Sequence, residues 1–112
     1  MTAEQIGATL GCTNYTPKSS AGQVNGPVAT SQGTCSQQGT SYTIAAYKSA
    51  SDVHASVALL DSELSTIVKR SETIGSGDNY MIVRSAWGAS LKPAMVAAVQ
   101  SSHGMITTTK PN

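Results

Sequence analysis

The two cysteines of this chain, Cys12 and Cys35, constrain its fold more than any other feature of the sequence. They flank a segment rich in Ser, Gly, Gln and Pro. An even pair of cysteines around a polar loop is typical of one structural disulfide, and therefore of a protein made for an oxidising compartment. We expect Cys12 and Cys35 to be bonded to each other and the protein to be exported. The alternative is a cytoplasmic protein that carries two reduced thiols.

A disulfide across this loop should stabilise the fold by about 3 kcal/mol, because it restricts the unfolded chain. The rival interpretation is a redox pair or a metal site. The spacing of the cysteines matches neither a CxxC motif nor a zinc pattern. The two histidines, His54 and His103, are too few and too scattered to complete a metal site. We predict no metal ligands and no cofactor.

Length and charge restrict the class of protein further. A chain of 112 residues is long enough for one domain, 1–112. Its formal net charge of +1 argues against a nucleic-acid partner, because phosphate binding needs a basic surface. No apolar run approaches the ~20 residues that span a bilayer. The sequence shows no signal peptide, so we interpret the start at Met1 as replacing a removed export signal.

Hydrophobic periodicity predicts an α+β domain, in which two to three helices pack on a small antiparallel sheet of about four short strands. The predicted helices span 3–10, 52–70 with an alternative end near 64, and 90–103. The predicted strands span 34–37, 41–47, 73–74 and 80–84, with a weaker candidate at 27–31. The rest of 13–33 is predicted to be loop, and 107–112 a flexible tail.

Residues at the ends of these elements support the assignment. Candidate N-caps precede the predicted helices, namely Thr2, Ser49 or Ser51, and Ser90. Gln38-Gly39 is a plausible hairpin turn, and 75–79 is a second one. The strand 80–84 is apolar on both faces, which is typical of a central strand.

Four motifs occur in a distinctive order. They are Leu-Gly-Cys-Thr at 10–13, Gly-Thr-Cys at 33–35, Ala-Ala-Tyr-Lys-Ser at 45–49 and Gly-Asp-Asn-Tyr-Met-Ile-Val at 77–83. This order resembles small exported actinobacterial proteins and lipoproteins of unknown function, similar to proteins of actinobacterial phages and prophages. The resemblance implies a cell-envelope location and allows a lipid anchor on a cysteine upstream of this chain. It implies no reaction, and this chain has Tyr80 where the family often has Trp.

The sequence carries no recognisable catalytic signature. Serines are so abundant that a Ser/His/Asp triad through His54 or His103 would be a coincidence, and no Gly-x-Ser-x-Gly elbow is present. The loop at 75–80 lacks the third glycine of a dinucleotide-binding motif, and a strand follows it instead of a helix. We predict that the protein is not an enzyme. A small secreted serine hydrolase is the alternative.

The best candidate for an interaction site is Trp87, together with Arg84 and Tyr80. Trp87 lies in a predicted loop just after the apolar strand, and Trp and Arg frequently anchor interfaces. The alternative is that Trp87 closes the open end of the core. We expect a non-enzymatic, exported cell-envelope domain that binds a protein or another envelope component. A narrower alternative is a phage- or prophage-encoded envelope protein that interferes with superinfection or with a host surface factor.

Overall fold

A computed structural model describes residues 2–18, 28–63, 72–85 and 90–109. These residues form three helices and six strands. The helices are α1 (Ala3–Thr9), α2 (Ala50–Glu63) and α3 (Pro93–Ser101). The strands are β1 (Thr13–Pro17), β2 (Ser31–Gln37), β3 (Thr40–Ala46), β4 (Thr73–Ser76), β5 (Tyr80–Arg84) and β6 (Met105–Thr108).

The strands form one sheet in the order β1-β2-β3-β5-β4-β6, and each neighbouring pair is antiparallel. The α+β class predicted from the sequence is confirmed, with six strands instead of about four. β5 lies between β3 and β4, as predicted for a strand that is apolar on both faces. Ile82 lies opposite Ile44 in one core, and Met81 lies opposite Ala45 in the other.

The sheet is covered on both faces, because successive residues of a strand point to opposite sides. The larger core lies between the sheet and the pair α1 and α3. Its buried members include Ile6, Leu10, Tyr42, Ile44, Ile82, Leu91, Met95 and Val99. The smaller core lies against α2 and contains Ala29, Ala45, Tyr47 and Val53. The fold therefore has three layers with cores of unequal size.

Cys12 and Cys35 form the predicted disulfide, and their Cα atoms are 5.5 Å apart. Cys12 lies between α1 and β1, Cys35 lies in β2, and both are buried in the larger core. The bond ties the end of α1 to the second strand. In β1 only Tyr15 is partly buried. Burial of the β1 side chains therefore does little to hold this part of the chain in place. The disulfide supplies that constraint instead.

The first two predicted helix caps are present. Thr2 Oγ1 accepts from the N–H of Gln5, whose side chain accepts from the N–H of Thr2, which forms a capping box. Ser49 Oγ accepts from the N–H of Asp52 at the start of α2. These bonds satisfy N–H groups that have no partner within their helix.

The third predicted cap is wrong. Pro93 begins α3 two residues later than a Ser90 cap would require, so Lys92 occupies the N-cap position, and its side chain makes no capping hydrogen bond.

The predicted turn at Gln38-Gly39 is confirmed. Both residues have positive φ, 50° and 77°, as the central residues of a type I′ hairpin turn require.

Both ends of the sheet contain strands that the sequence does not predict. β1 lies within the segment predicted as loop, where no alternation of apolar residues marks it because most of its side chains are exposed. β6 includes Thr107 and Thr108, where a flexible tail is predicted. Thr109 is fully buried, and its N–H donates to the Glu72 carbonyl at 2.8 Å.

Other predictions differ at their boundaries. The weaker strand candidate at 27–31 is irregular over 28–30, and β2 begins at Ser31. Gly75 lies within β4 and not in the predicted turn. At this position of β4, an added side chain would collide with Ile82 and Val99. The predicted continuation of α2 from 64 to 70, and residues 110–112, lie outside the described residues.

On the α2 side, the part of the sheet around β1, β2 and β3 carries hydroxyl side chains. Ser41 Oγ and Thr43 Oγ1 each lie 3.0 Å from Ser85 Oγ. Thr13 Oγ1 donates to the Ser36 carbonyl at 3.2 Å. These side chains are exposed or half-buried. Much of the hydrogen-bonding surface of this weakly charged protein therefore consists of hydroxyl groups.

Candidate functional site

A groove of about 200 Å³ lies where α1, the turn between β4 and β5 and the C-terminal end of α3 meet. The groove is lined from α1 by Ile6, Thr9 and Leu10, from the turn by Gly77, Asp78, Asn79 and Tyr80, and from the end of α3 by Ser102 and His103. Buried apolar side chains of α1 thus adjoin polar residues from two other elements. Such a mixture can hold an apolar group and orient it by hydrogen bonds.

Tyr80 is the most unusual residue of this groove. It is only 7% exposed, yet its hydroxyl has no hydrogen-bond partner among the residues that the structure describes. A buried polar group without a partner costs about 1–3 kcal/mol, and such groups are rare in folded proteins. Burial raises the pKa of Tyr80 above its ordinary value of 10.0, so the phenol stays protonated at neutral pH. The hydroxyl therefore remains available as a donor.

The β4–β5 turn holds the Tyr80 ring in place. The N–H of Gly77 donates to the Tyr80 carbonyl at 3.0 Å, and the N–H of Tyr47 donates to the Asn79 carbonyl at 2.7 Å. The ring packs directly on Gly77, where an added Cβ would lie 2.8 Å from Tyr80 Cδ1. The glycine is thus required by the close approach of the ring.

The end of α3 forms the wall beside the Tyr80 hydroxyl. His103 has a left-handed backbone, with φ 64°, and the N–H of Gly104 donates to the Val99 carbonyl at 2.8 Å. A Cβ on Gly104 would lie 2.8 Å from the Tyr80 hydroxyl. The turn at 102–104 therefore lies directly against the Tyr80 hydroxyl.

Charge in the groove is limited. Among the residues that the structure describes, Asp78 is the one acidic side chain in the lining, and no lysine or arginine lines the groove. Asp78 and His103 are exposed at the rim, whereas Ile6 and Leu10 are buried. The arrangement suits a group that is neutral or positively charged, with an apolar part and a hydrogen-bond acceptor.

The structure describes two of the three predicted interaction residues, Tyr80 and Arg84, and places them apart. Tyr80 and Arg84 are the first and last residues of β5, on the same face, and four residues of a strand span about 13 Å. Arg84 lies opposite Tyr42, and its Nε is buried without a partner among the described residues. Trp87 lies outside the described residues. Of the three, Tyr80 lines the groove.

The histidines considered for a serine hydrolase are both exposed. His54 lies in α2, and His103 lies at the groove on the other side of the sheet. Within the described ranges, neither makes a hydrogen bond to a serine.

The described ranges contain no group of three His, Cys, Asp or Glu side chains that could hold a metal ion. Among the described helices, none is long and apolar enough to cross a membrane.

Sequence reasoning did not connect the residues that line the groove. It identified 75–79 as a turn and placed His103 at a helix end, but it did not bring the two together. Their proximity depends on strand order, since β5 and β4 must lie between β3 and β6 to bring the β4–β5 turn near the end of α3. One local signal is Gly77, three residues before Tyr80, which allows the close approach of the Tyr80 ring.

Comparison with known proteins adds no relative. The chain matches no family model, no curated protein and no solved structure.

Proposed function

We propose that this chain is an exported domain of the cell envelope that acts by binding, and that the groove at Tyr80 holds an anchoring group of its partner. The observation that carries the proposal is the buried hydroxyl of Tyr80, a residue of the groove lining, which has no hydrogen-bond partner among the described residues. A donor of this kind destabilises the free protein and gains a hydrogen bond when an acceptor reaches it.

The disulfide supports the exported location. Disulfides persist in secreted and envelope proteins, and are rare in the reducing cytosol. Cys12 and Cys35 are both buried, so their bond is part of the packed core instead of an exposed redox pair. The resemblance to small actinobacterial envelope proteins agrees with this location.

The volume of the groove favours a small anchoring group of the partner, and not a complete cofactor, as the molecule that it holds. Sites for drug-sized ligands are typically about 300–1,000 Å³, whereas this groove measures about 200 Å³. It suits one sugar ring, an acetamido group or one side chain. Envelope glycans and proteins both carry such groups. The partner of the Tyr80 hydroxyl would be a carbonyl or hydroxyl oxygen, reached as the 102–104 turn shifts.

A pair of conservative variants tests the groove. Tyr80→Phe keeps the ring on Gly77 and removes the hydroxyl, so we expect the free energy of unfolding to stay unchanged or to rise by about 1 kcal/mol. Tyr47→Phe is the matched control, because Tyr47 is also buried but belongs to the core against α2. Urea unfolding of both variants and the wild type measures these changes.

Binding is measured by passing a detergent extract of actinobacterial envelope over the immobilised, disulfide-intact domain. We expect the wild type and Tyr47→Phe to retain the same component and Tyr80→Phe to lose it. Titration of ¹⁵N-labelled protein with N-acetylglucosamine and with muramyl dipeptide, followed by NMR, then locates the bound group. Shifts should be confined to the amides of 77–80 and 102–104.

Two results would overturn the proposal. If nothing is retained, or if all three proteins retain the same material, the groove is not the binding site. If both cysteines of the protein isolated from its native host react fully with an alkylating reagent, the export argument fails.

A further inference from the structure

The two edges of the sheet differ in how well they resist pairing with another strand. The outer strand β1 has an irregular register between Thr13 and Thr16, and Asn14 has a positive φ of 56°. Pro17 ends the strand and Lys18 follows it. Bulges, prolines and lysines are the devices by which edge strands avoid adding another strand.

The opposite edge strand, β6, has no bulge and none of these residues within Met105–Thr108, although Lys110 and Pro111 follow it in the sequence. It runs Met-Ile-Thr-Thr in continuous register with β4, and it contains neither a charge nor a proline. Met105 is 55% exposed, which is unusual for a large apolar side chain in this protein. β-branched residues such as Ile and Thr also favour strands. β6 is therefore suited to pair on its outer side.

The outward backbone groups of β6 can be identified from one hydrogen bond. The N–H of Thr109 donates to the Glu72 carbonyl, so the backbone of Thr109 points toward β4. Successive residues of a strand alternate, so Thr107 also points toward β4, and Ile106 and Thr108 point away from it. In the ranges that the structure describes, these outward groups have no hydrogen-bond partner.

We propose that β6 pairs with β6 of a second copy of this chain, antiparallel and about a two-fold axis. The outward groups lie symmetrically on either side of Thr107, so Ile106 of each copy would face Thr108 of the other. Four backbone hydrogen bonds would form, and the two Thr107 side chains would meet at the axis. The six-stranded sheets would join into one continuous sheet.

A second copy fits this edge better than a charged partner would. No residue from 104 to 109 is charged, so the paired segment itself contains no like charges that would repel, and the next charged residue in the sequence is Lys110. An interface of one short strand is small, and interfaces well below about 1,000 Å² are weak and transient. The dimer should therefore form in a concentration-dependent way, as it would on a crowded surface.

Cysteine cross-linking tests the register directly. Residues opposite each other in a non-hydrogen-bonded antiparallel pair have Cα atoms about 4.5 Å apart, which a disulfide can bridge. We expect Thr107→Cys to form a covalent dimer under mild oxidation several-fold faster than Thr108→Cys. Ser51→Cys, exposed at the start of α2, is the control for random collision. Peptide mapping confirms the 107–107 link and the intact native disulfide.

A proline variant tests the hydrogen bonds without a cross-link. Thr108→Pro removes an outward N–H and leaves the bonds to β4 in place, so the variant should fold and should sediment as a monomer where the wild type partly dimerises. Circular dichroism and the melting temperature verify the fold. Equal cross-linking of the three cysteine variants would overturn the proposal. So would a wild type whose sedimentation does not change with concentration.

Discussion

The β1–β2 end of the sheet and the β4–β6 end are held together in different ways. At the first end, β1 buries little, and a disulfide joins the end of α1 to β2. At the second end, Met95 and Val99 of α3 and the preceding Leu91 pack in the core against the sheet, and no cysteine is involved. The contrast indicates that a covalent bond constrains the part of a small domain that has few large apolar side chains to bury.

The strongest test of this contrast is removal of the disulfide. We expect the double substitution Cys12→Ala and Cys35→Ala to lower the free energy of unfolding by about 4 kcal/mol, since loop closure and buried contacts are both lost. Hydrogen exchange should accelerate more in β1 and β2 than in β4 and β6. Equal acceleration at both ends would contradict the contrast.

The second test creates a cavity at the other end. Met95 is fully buried, so Met95→Ala should lower the free energy of unfolding by about 3 kcal/mol, with the disulfide intact. Val96→Ala, at a half-buried neighbouring position, is the control and should cost less than half as much. Urea unfolding measures both. A small effect at Met95 would show that packing of α3 does not hold this end.

The third test concerns the close approach of β1 to β2. Gly33 lies directly against Tyr15, and an added Cβ would lie 2.6 Å from Tyr15 Cζ. Gly33→Ala should therefore cost about 2 kcal/mol by forcing β1 outward. Thr34→Ala, half-buried at the next position, should cost much less. If both variants unfold at the same urea concentration, β1 can move without loss of stability.

The smallest effect is a pH dependence shared by the two ends. Desolvation raises the pKa of Tyr80 above 10.0, and desolvation together with the nearby Glu4 raises that of Tyr15. A raised pKa in the folded state means that stability is fully present below pH 10 and falls as pH rises through the folded-state pKa. Tyr80→Phe and Tyr15→Phe should each reduce this fall. A thermal stability that stays constant above pH 10 would contradict the assignment.

The sequence predicts the parts of this fold that local chemistry determines. The caps at Thr2 and Ser49, the Gln38-Gly39 turn and the central position of β5 each follow from residue types within a few positions. The disulfide follows from there being only two cysteines to pair. The edge strands do not, because an exposed strand needs no alternation of apolar residues.

The groove could be predicted only in part. The sequence includes Tyr80 in the predicted interaction site only as a companion of Trp87. Leu10 and His103, the neighbours of Tyr80, are far from it in sequence and meet it only through the strand order. Strand order is a property of long-range packing, which single-sequence patterns do not encode. The grouping of Arg84 and Tyr80 with Trp87 rests on proximity in the sequence, and the structure places Arg84 at the other end of β5 from Tyr80.

The disulfide also determines how the domain would respond to mechanical force. A separation of 23 residues between Cys12 and Cys35 corresponds to about 80 Å of extended chain, which tension cannot release while the bond is intact. β6, by contrast, pairs with β4 alone among the described strands, so a pull on the chain beyond β6 would peel it away bond by bond. The wall of the groove at 102–104 precedes β6 directly. Tension from that side would therefore open the groove, and would release the group that we propose it holds, while the α1–β2 part stays folded.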